Sequence, residues 1–409
     1  MHRVVITGAG NISALGHDWE TVLSRLRERR NAVRRFEDWS EYVGLNTRLG
    51  VPAAPFELPD HYSRKATRSM GRVAVMATRA SELALIDAGL LDDPILKGGQ
   101  VGISYGSSSG TPASMRDFGR MMIEKNTQPI SSATYIKVMS HTAAVNMGVF
   151  FGITGRIITT SSACTSGSQG IGYAYEAIKA GYQTVMLAGG ADELDVATAA
   201  VFDTLFATST RNDTPEMTPR PFDRDRDGLV IGEGASTLVL ENLSHALARG
   251  ARIRAEVVGY GTTSDGRHVT QPHAATMASA MRLALADAGL APDAVGYVNA
   301  HGTATEHGDI EETRATHAVF GERVPISSLK SYTGHTLGAC GALEAWASIE
   351  MMRAGWFAPT INLEDVDPRC GALDYITGSG RDLETDVVMS NNFAFGGINT
   401  SLIFRRWPG

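Results

Sequence analysis

The feature that most constrains the fold of this 409-residue chain is an internal repeat with an offset of 200 residues. Residues 81–90 read SELALIDAGL and residues 281–290 read MRLALADAGL, so seven of the ten positions are identical. Both segments have the helical spacing of apolar residues, and both end in Gly-Leu, which is typical of a helix C-terminus. Because a 200-residue period is far too long for a solenoid, the repeat predicts two related halves.

The segments that follow the two copies correspond as well. GQVGISYGSSSG follows the first copy and AVGYVNAHGTAT follows the second, and each is a short apolar strand leading into a loop of small residues. Setting Gly106 against Gly302 places Tyr105 opposite His301. The shared order of helix, strand and loop favours duplication over a chance match. It predicts two α/β halves that face each other with a site between them.

Composition argues against several classes of protein. A net charge of −7 and 43% hydrophobic residues are unlike a disordered chain and weigh against nucleic-acid binding. Three cysteines, Cys164, Cys340 and Cys370, are too few for a disulfide framework. The start of the chain lacks a signal peptide, and the apolar stretch 138–155 contains polar residues, which predicts a buried helix. We therefore expect a soluble, cytoplasmic protein with no membrane or nucleic-acid partner.

The strongest local signal is RIITTSSACTSGSQGIGYAYEAIKAG, residues 156–181. A strand-like run leads into Cys164, and a helix with an apolar face begins near Ser166. The positive end of a helix favours a thiolate, and backbone N–H groups at such a turn stabilise an oxyanion. The segment alone fits a nucleophile and a buried structural cysteine equally well. Cys340 and Cys370 lack this context and are expected to be structural.

Two histidines and one lysine occupy similar strand-to-loop positions. His301 lies in YVNAHGTATEHGD, and His335 lies in SSLKSYTGHTLGACGALEA, five residues after Lys330. Taken singly, each histidine fits a core or surface position and the lysine fits a solvated one. Their joint occurrence in glycine-rich loops favours an active site, because α/β folds place their chemistry at strand ends.

The sequence offers two other kinds of site, a metal site and a dinucleotide-binding loop. A metal site would take His301, His307, Asp309 and His335 as ligands, but the sequence has no HExxH-like helical face, and we predict no metal. The N-terminal GAGNIS resembles a dinucleotide-binding loop, yet Ser13 stands where the third glycine belongs. That segment predicts a tight strand-to-helix turn.

Five motifs occur along the chain in a characteristic order: SSACTSG around Cys164, RPFDRDRDGLVIGEGA at 220–235, HGTATEHGD at 301–309, KSYTGHTLGACGALEA at 330–345 and FAFGGIN at 393–399. With them the chain resembles the β-ketoacyl-[acyl-carrier-protein] synthases, the elongating condensing enzymes of fatty-acid and polyketide synthesis. The resemblance implies a thiolase-like, duplicated five-layer α/β/α/β/α fold. It divides the chain into an N-terminal half, 1–250, and a C-terminal half, 251–409, that pack as one unit.

The resemblance implies a catalytic role for several of these residues. Cys164 would be the nucleophile that takes the acyl chain as a thioester. His301 and His335 would donate hydrogen bonds from neutral Nε2 to the thioester oxygen as decarboxylation forms an enolate. The N–H groups of Cys164 and Phe395 would form the oxyanion hole. Lys330 would orient His301, and a salt bridge from Glu344 would hold Lys330.

The resemblance also implies how the substrate reaches the site. No cofactor is expected, because 4'-phosphopantetheine arrives on the acyl carrier protein. Thr303 and Thr305 match positions that hydrogen-bond this arm. Phe395 matches a gating phenylalanine, and Thr270 lies in a second moving loop, residues 265–272. Ser109 stands where many long-chain enzymes have a bulky apolar residue, which suggests a roomier acyl pocket.

A basic docking patch is expected because the carrier protein is acidic. Arg64, Lys65, Arg68 and Arg72 are the best candidates, and at a spacing of four they would share one helix face. An ordinary solvated basic helix is the alternative. The resemblance implies a homodimer, with residues 135–139 near the partner subunit, and leaves open a heterodimer with a chain-length subunit.

Departures from the family pattern and alternative activities remain open at this point. Ala394 replaces a glycine in the usual FGFGG motif, and Glu306 and His307 bring titratable groups to the pantetheine entrance.

A degradative thiolase would need a second catalytic cysteine, and Cys370 lacks the glycine-rich surroundings of that role. A Cys-His hydrolase is another enzymatic alternative. A non-enzymatic chain-length subunit would lack the nucleophile, whereas Cys164 is present; the chain would instead be the active half of a polyketide or aryl-polyene pair.

Overall fold

The computed structural model describes residues 1–408; Gly409, the last residue of the predicted 251–409 half, lies outside the described residues. The α-helices are α1 (Trp19–Arg27), α2 (Arg64–Thr67), α3 (Arg72–Ala88), α4 (Pro112–Glu124), α5 (Ser132–Val138), α6 (Thr142–Phe151), α7 (Ser166–Lys179), α8 (Val196–Asp203), α9 (Leu243–Ala248), α10 (Ala274–Ala288), α11 (Glu306–Phe320), α12 (Lys330–Thr333) and α13 (Cys340–Ala354). The strands are β1 (Val4–Ile12), β2 (Arg34–Arg35), β3 (Leu49–Val51), β4 (Val101–Gly106), β5 (Ile157–Thr160), β6 (Val185–Asp192), β7 (Ile231–Gly232), β8 (Gly234–Asn242), β9 (Ala255–Ser264), β10 (Tyr297–Asn299), β11 (Pro325–Ser327), β12 (Trp356–Phe357), β13 (Asp374–Tyr375), β14 (Arg381–Asp382), β15 (Val387–Ala394) and β16 (Ile398–Arg406).

The strand order shows the duplication directly. Within residues 1–408, eleven strands form one sheet in the order β13-β11-β10-β15-β16-β9-β1-β8-β6-β4-β5. β1 and β9 pair antiparallel near its middle, with Val4 opposite Val257. Outward from this pair, β1-β8-β6-β4-β5 corresponds strand by strand to β9-β16-β15-β10-β11, with the same sequence of antiparallel and parallel pairings. The chain crosses between the two sets after α9 and before β9, and a boundary at residue 250 stays a prediction.

The repeated helices pack on equivalent glycines of the two central strands. A Cβ atom on Gly10 of β1 would lie 2.1 Å from the carbonyl oxygen of Ala80 in α3, and one on Gly261 of β9 would lie 2.2 Å from that of Ala280 in α10. No side chain fits at either position, so each helix lies directly against its strand.

An aspartate near the end of each repeated helix makes the same contact with its strand. Asp87 accepts a hydrogen bond from the backbone N–H of Ala9 (2.9 Å), and Asp287 accepts one from that of Tyr260 (3.2 Å). These aspartates are 200 residues apart, like the copies of the repeat. The sequence match therefore reflects a structural duplication.

The layers follow from which helices contact which strands. α7 and α13 pack on each other and on strands of both halves, whereas α3 and α6 cover one outer face and α10 and α11 the other. In the part of the chain that the structure describes, the two sets of strands join only through the three residue pairs of β1 and β9, so each set forms its own β layer, and the result is the duplicated five-layer α/β/α/β/α fold that the sequence predicted. The largest buried cluster surrounds α7 and α13, the two central helices, and includes Ile171 and Trp346.

Two local predictions are refined by the structure. The stretch 138–155 is not one helix, because α5 ends at Val138 and the buried helix α6 covers Thr142–Phe151. No helix within residues 1–408 is long and apolar enough to cross a membrane. The tight turn predicted at GAGNIS begins later, since β1 pairs with β8 as far as Ile12; Ser13 then donates its hydroxyl to the carbonyl of Gly16.

Candidate active site

The loops before the two central helices have the same backbone geometry. Ala163 (φ +50°) and Leu337 (φ +51°) both adopt the left-handed region, and each begins a single 3-10 turn that leads into its helix. Non-glycine residues rarely adopt this conformation, and they cluster at functional sites. The first turn places Cys164 next to the start of α7, and the second brings His335 up to the start of α13.

Cys164, His301 and His335 meet in a buried cluster. The Nε2 atom of His335 lies 2.9 Å from the Sγ atom of Cys164. The rings of His301 and His335 are perpendicular, with centroids 5.1 Å apart. The sulfur and one ring nitrogen of each histidine all lie within 4.8 Å of one another. Three residues from distant motifs thus converge on the space that a thioester would occupy.

Both imidazoles are held with Nδ1 as an acceptor. The N–H of Leu337 donates to Nδ1 of His335 (3.3 Å), and the amide Nδ2 of Asn392 donates to Nδ1 of His301 (3.4 Å). Burial, with the nearby Lys330 charge, lowers the pKa of both histidines well below its usual value. Neutral rings with acceptor Nδ1 carry their proton on Nε2, as the role implied for them requires.

Lys330 and Glu344 form a buried ion pair behind His301. Burial is the largest single effect and lowers the pKa of Lys330, but Glu344 together with Cys340 and Glu312 raises it above its usual value, which favours the ammonium form. The prediction that Lys330 orients His301 differs from the hydrogen bonding observed, in which Asn392 contacts that ring. Lys330 acts on His301 through its charge.

The pKa of the Cys164 thiol is higher than its position at the N-terminus of α7 alone predicts. Burial raises the pKa of Cys164 to about 12, although the charge of Lys330 and the backbone N–H of Phe395 act in the opposite direction. Burial therefore acts against the thiolate that the helix N-terminus favours. The backbone N–H groups of Phe395 and of Cys164 itself lie close enough to the sulfur to lower its pKa, and their role as an oxyanion hole stays a prediction.

A cavity of about 450 Å³ leads to Cys164. Thr303 and Thr305 lie in its wall with their hydroxyl oxygens 2.9 Å apart. Phe395 also lines it and stacks on Phe202, with ring centroids 5.3 Å apart. Other lining residues named by the sequence analysis are Thr270, Glu306 and His307. The predicted arm-binding and gating residues thus share one cavity with the nucleophile.

The two predicted moving loops are tied to each other. Gly396 donates its N–H to the carbonyl of Val269 (2.7 Å), and Asp265 donates its N–H to the carbonyl of Gly397 (2.8 Å). The left-handed conformations of this loop fall on Gly396 and Gly397, whereas Ala394 ends β15 in a strand conformation. The alanine at position 394 therefore occupies a site that needs no glycine.

The predicted basic patch does not form one helix face. Arg64 and Lys65 lie on the four-residue helix α2, Arg68 follows that helix, and Arg72 begins α3. The prediction of one helix is wrong because α2 ends at Thr67 and α3 begins at Arg72, with Gly71 packed closely against Thr111 between them.

Arg72 also differs from the other predicted docking residues in its contacts. Its guanidinium is paired with the buried carboxylate of Glu233. Arg64, Lys65 and Arg68 remain exposed. Arg72 is exposed as well, but its charge is paired with Glu233, so the basic residues of this segment that are not in an ion pair within residues 1–408 lie on α2 and directly after it.

Other predicted residues are placed away from the nucleophile. Ser109 lies in the loop between β4 and α4 and is not among the described residues that line the cavity. Asp309, from the rival metal set, accepts a hydrogen bond from the N–H of Phe222 (2.7 Å) and lies 3.6 Å from Arg226, whereas His307 is exposed. These contacts assign Asp309 to the structure of the loop.

Two residues at the site were missed by sequence reasoning. Asn392 contacts His301 and donates to Glu344 (2.8 Å). Cys340 places its Sγ 3.3 Å from the carbonyl oxygen of Cys164. A single polar residue in a buried strand, or a cysteine in a helix, has no sequence pattern that distinguishes it from a structural group.

Comparison with known proteins covers most of the chain. Residues 1–246 match the family model described as the N-terminal domain of β-ketoacyl synthase, and residues 254–364 match the model of its C-terminal domain. The 3-oxoacyl-[acyl-carrier-protein] synthase 1 of Haemophilus influenzae is 38% identical over 413 residues, covering 100% of both chains.

Solved structures show the same similarity. A β-ketoacyl synthase from Burkholderia phymatum STM815 is 60% identical and superposes with a TM-score of 0.98 over 100% of both chains. The ishigamide ketosynthase/chain length factor is 31% identical, with a TM-score of 0.90 over 99% of both chains. The name of the second structure pairs a ketosynthase with a chain length factor.

Proposed function

The chain belongs to the β-ketoacyl synthase family, and on this premise we propose that it elongates acyl chains by decarboxylative Claisen condensation with malonyl-[acyl-carrier-protein]. It is an acyltransferase of the 3-oxoacyl-[acyl-carrier-protein] synthase class. The observation that carries the proposal is the 2.9 Å contact between Cys164 Sγ and His335 Nε2 in the cavity that also exposes His301. Fatty-acid elongation is the main assignment, and a polyketide or aryl-polyene ketosynthase is the alternative.

The first half-reaction loads the acyl chain onto Cys164. The sulfur attacks the carbonyl carbon of the carrier-bound thioester, and the N–H groups of Cys164 and Phe395 stabilise the oxyanion that forms. The bond to the pantetheine sulfur breaks, and that sulfur takes the proton that Cys164 loses. Burial opposes a free thiolate. The Nε2–H of His335 therefore donates a hydrogen bond to the sulfur and stabilises the negative charge that develops on it.

The second half-reaction forms the new carbon–carbon bond. Loss of the malonyl carboxylate as CO₂ leaves its electron pair as an enolate, whose oxygen accepts hydrogen bonds from Nε2–H of His301 and His335. The enolate carbon attacks the thioester on Cys164, and the sulfur leaves and regains a proton. The balance needs no oxidant or reductant, so the proposal includes no bound cofactor. A cytoplasmic location, where the thiol stays reduced, belongs to the same proposal.

The acyl carrier protein is the partner that this reaction requires, and we infer a second subunit as well. β5 is at an edge of the sheet, where Ile157 is 41% exposed, and Tyr135 on the nearby α5 is 55% exposed. An exposed strand edge with apolar neighbours favours pairing with another chain. Light scattering of the purified chain should give a homodimer; a monomer would favour a heterodimer with a chain-length subunit.

The thiolase alternative is weakened by where the other cysteines lie. Cys370 is half-buried beside Thr313 and is not among the described residues that line the cavity. Cys340 is near Cys164, but it faces the Cys164 carbonyl, and burial raises its pKa well above the usual value. Neither is placed as a second acyl-transfer group.

The decisive experiment supplies acyl- and malonyl-carrier protein and measures the β-ketoacyl product. Cys164→Ala should abolish condensation, because no thioester can form. Cys164→Gln should also lose condensation but retain decarboxylation of malonyl-carrier protein, because His301 and His335 are unchanged. Condensation by Cys164→Ala at the wild-type rate would overturn the proposal, and cleavage of 3-ketoacyl-CoA without condensation would revive the thiolase reading.

A further inference from the structure

We propose that Asn392 is a positioning residue that holds His301 in the tautomer with its proton on Nε2. Asn392 lies on β15, and its side chain is buried between His301 and the Lys330–Glu344 ion pair. The inference rests on the proposed condensation, in which Nε2–H of His301 stabilises the enolate oxygen. It assigns a role to a side chain that contacts no substrate and acts only through His301.

The hydrogen atoms of the Asn392 amide can be assigned one by one. Its Nδ2 carries two hydrogens and lies 2.8 Å from Oε2 of Glu344, 3.4 Å from Nδ1 of His301 and 3.7 Å from Sγ of Cys340. One hydrogen is directed to the carboxylate, which is the nearest and strongest acceptor. The other is shared between His301 and Cys340.

The ion pair fixes which way the amide points. Rotating the amide of Asn392 by half a turn would place its oxygen against the Glu344 carboxylate, where two acceptors would repel each other. Lys330 contacts the same carboxyl group and holds it as the acceptor. The Lys330–Glu344 pair therefore orients His301 indirectly, through an amide that can only donate to Nδ1.

The two catalytic imidazoles depend on different kinds of group. Nδ1 of His335 accepts from a backbone N–H, that of Leu337, which substitution leaves in place. Within residues 1–408, the hydrogen-bond partner of the His301 ring is the Asn392 side chain. The tautomer of His301 can therefore be changed by a single substitution, and that of His335 cannot.

Replacing the amide with a carboxylate reverses the donor and acceptor at Nδ1. In Asn392→Asp one oxygen of the new carboxyl group would face Glu344 and share a proton with it, and the other would accept a hydrogen bond from Nδ1 of the neutral His301 ring, which leaves Nε2 without a proton. Protonated His301 would still carry a proton on Nε2. Since a neighbouring carboxylate also raises the pKa of an imidazole, the variant should work at low pH and lose activity as pH rises. The ionisable groups around His301 are Cys164, Glu312, Lys330, His335, Cys340 and Glu344.

The test follows decarboxylation of malonyl-carrier protein by wild type and variants from pH 6 to pH 8. The ratio of Asn392→Asp to wild type should fall by about 100-fold across this range, the size of a typical general acid–base contribution. Acylation of Cys164, measured by mass spectrometry of the protein, should lose much less because His335 keeps its backbone partner. Asn391→Asp is the matched control. It adds the same charge one residue earlier, on the opposite face of β15, where Asn391 accepts from Ser401.

Each outcome separates the inference from the proposed function. A constant ratio for Asn392→Asp over the whole pH range, or an equal pH-dependent loss in Asn391→Asp, would overturn the positioning role. If Asn392→Asp does not fold, Asn392→Ala replaces it: decarboxylation should fall more than acylation, and equal losses would overturn the role. Failure of wild-type condensation would instead refute the function and leave the tautomer question to ¹⁵N spectra of His301.

Discussion

The starts of the two central helices have nearly the same backbone but opposite chemistry. Ala163 and Leu337 have φ values within a degree of each other, and each is the first residue of a 3-10 turn that leads into a long helix. The residue after Ala163 is Cys164, the proposed nucleophile, whereas the residue after Leu337 is Gly338. Duplication has therefore preserved the backbone that brings two helix ends together, while the side chains on it have diverged.

The same divergence appears one turn further into the helices. The fifth residue of α7 is Gly170, where a Cβ atom would lie 2.6 Å from the Gly189 carbonyl oxygen. The fifth residue of α13 is Glu344, which is paired with the buried Lys330. The N-terminal half thus supplies a tightly packed platform for the nucleophile, and the C-terminal half supplies the charged and hydrogen-bonding groups that act on the substrate.

The prediction with the largest expected effect tests whether a buried ion pair is essential to stability only in the C-terminal half. Lys330→Met leaves Glu344 buried without its cation, and removing one partner of a buried pair costs about 3–5 kcal/mol of unfolding free energy. Decarboxylation should also be lost. The comparison is Lys179→Met at the end of α7, whose pair with Asp287 is partly exposed and is expected to cost about 0–1 kcal/mol. Equal losses in chemical denaturation would contradict the contrast between the halves.

A second prediction tests the symmetry of the helix contact. A Cβ atom on Gly167 of α7 or on Gly341 of α13 would lie 2.7 Å from backbone atoms of the opposite loop or helix. Gly167→Ala and Gly341→Ala should each cost about 1–3 kcal/mol, as overpacking does, measured by urea unfolding. Gly119→Ala in α4, where the added methyl meets open space, should instead stabilise by about 0.5–1 kcal/mol. A loss confined to one central glycine would show that the halves pack unequally.

Counted per pH unit, the smallest effect concerns a buried acid of the C-terminal half. Glu312 accepts hydrogen bonds from the N–H groups of His301 and Gly302, and burial raises its pKa to about 8. An acid whose pKa is higher in the folded state stabilises the fold fully below its ordinary value of 4.5, and that contribution is lost as pH rises toward 8. Glu312→Gln should therefore reduce the fall of unfolding free energy with pH by up to about 1.4 kcal/mol per unit.

That pH prediction depends on the slope and not on the absolute stability of the variant. Unfolding free energies of wild type and Glu312→Gln measured at several pH values between 5 and 8 give the slopes directly. Glu311→Gln, on the same helix, is the matched control for loss of a carboxyl group. Identical slopes for wild type and Glu312→Gln would show that Glu312 binds its proton equally in both states.

Much of the fold was accessible from the sequence because it is written in local patterns. The helical repeat at 81–90 and 281–290, and the strand that follows each copy, predicted the duplication that the sheet order displays. The motif positions also placed Cys164, His301, Lys330 and His335 at strand ends and helix starts. Such features depend on neighbours in the chain, which a sequence shows directly.

The predictions that failed or were incomplete depended on distant contacts. The basic residues 64–72 have helical spacing, yet Gly71 packs against Thr111 and divides them between two helices. The position of Cys164 at the N-terminal end of α7 suggested a thiolate, yet burial is the larger effect and raises the pKa of Cys164. Both outcomes are set by packing from other parts of the chain.

The sequence by itself determined the family and the duplicated architecture and singled out the residues proposed for the reaction, since each is carried by a short motif or a repeated pattern. Only the tertiary structure decided which side chains meet at the site. Asn392 contacts His301 across 91 residues of chain, and Cys340 contacts Cys164 across 176. The alternation of a strand tells which residues share a face, but the packing of β15 against α13 decides which group that face meets.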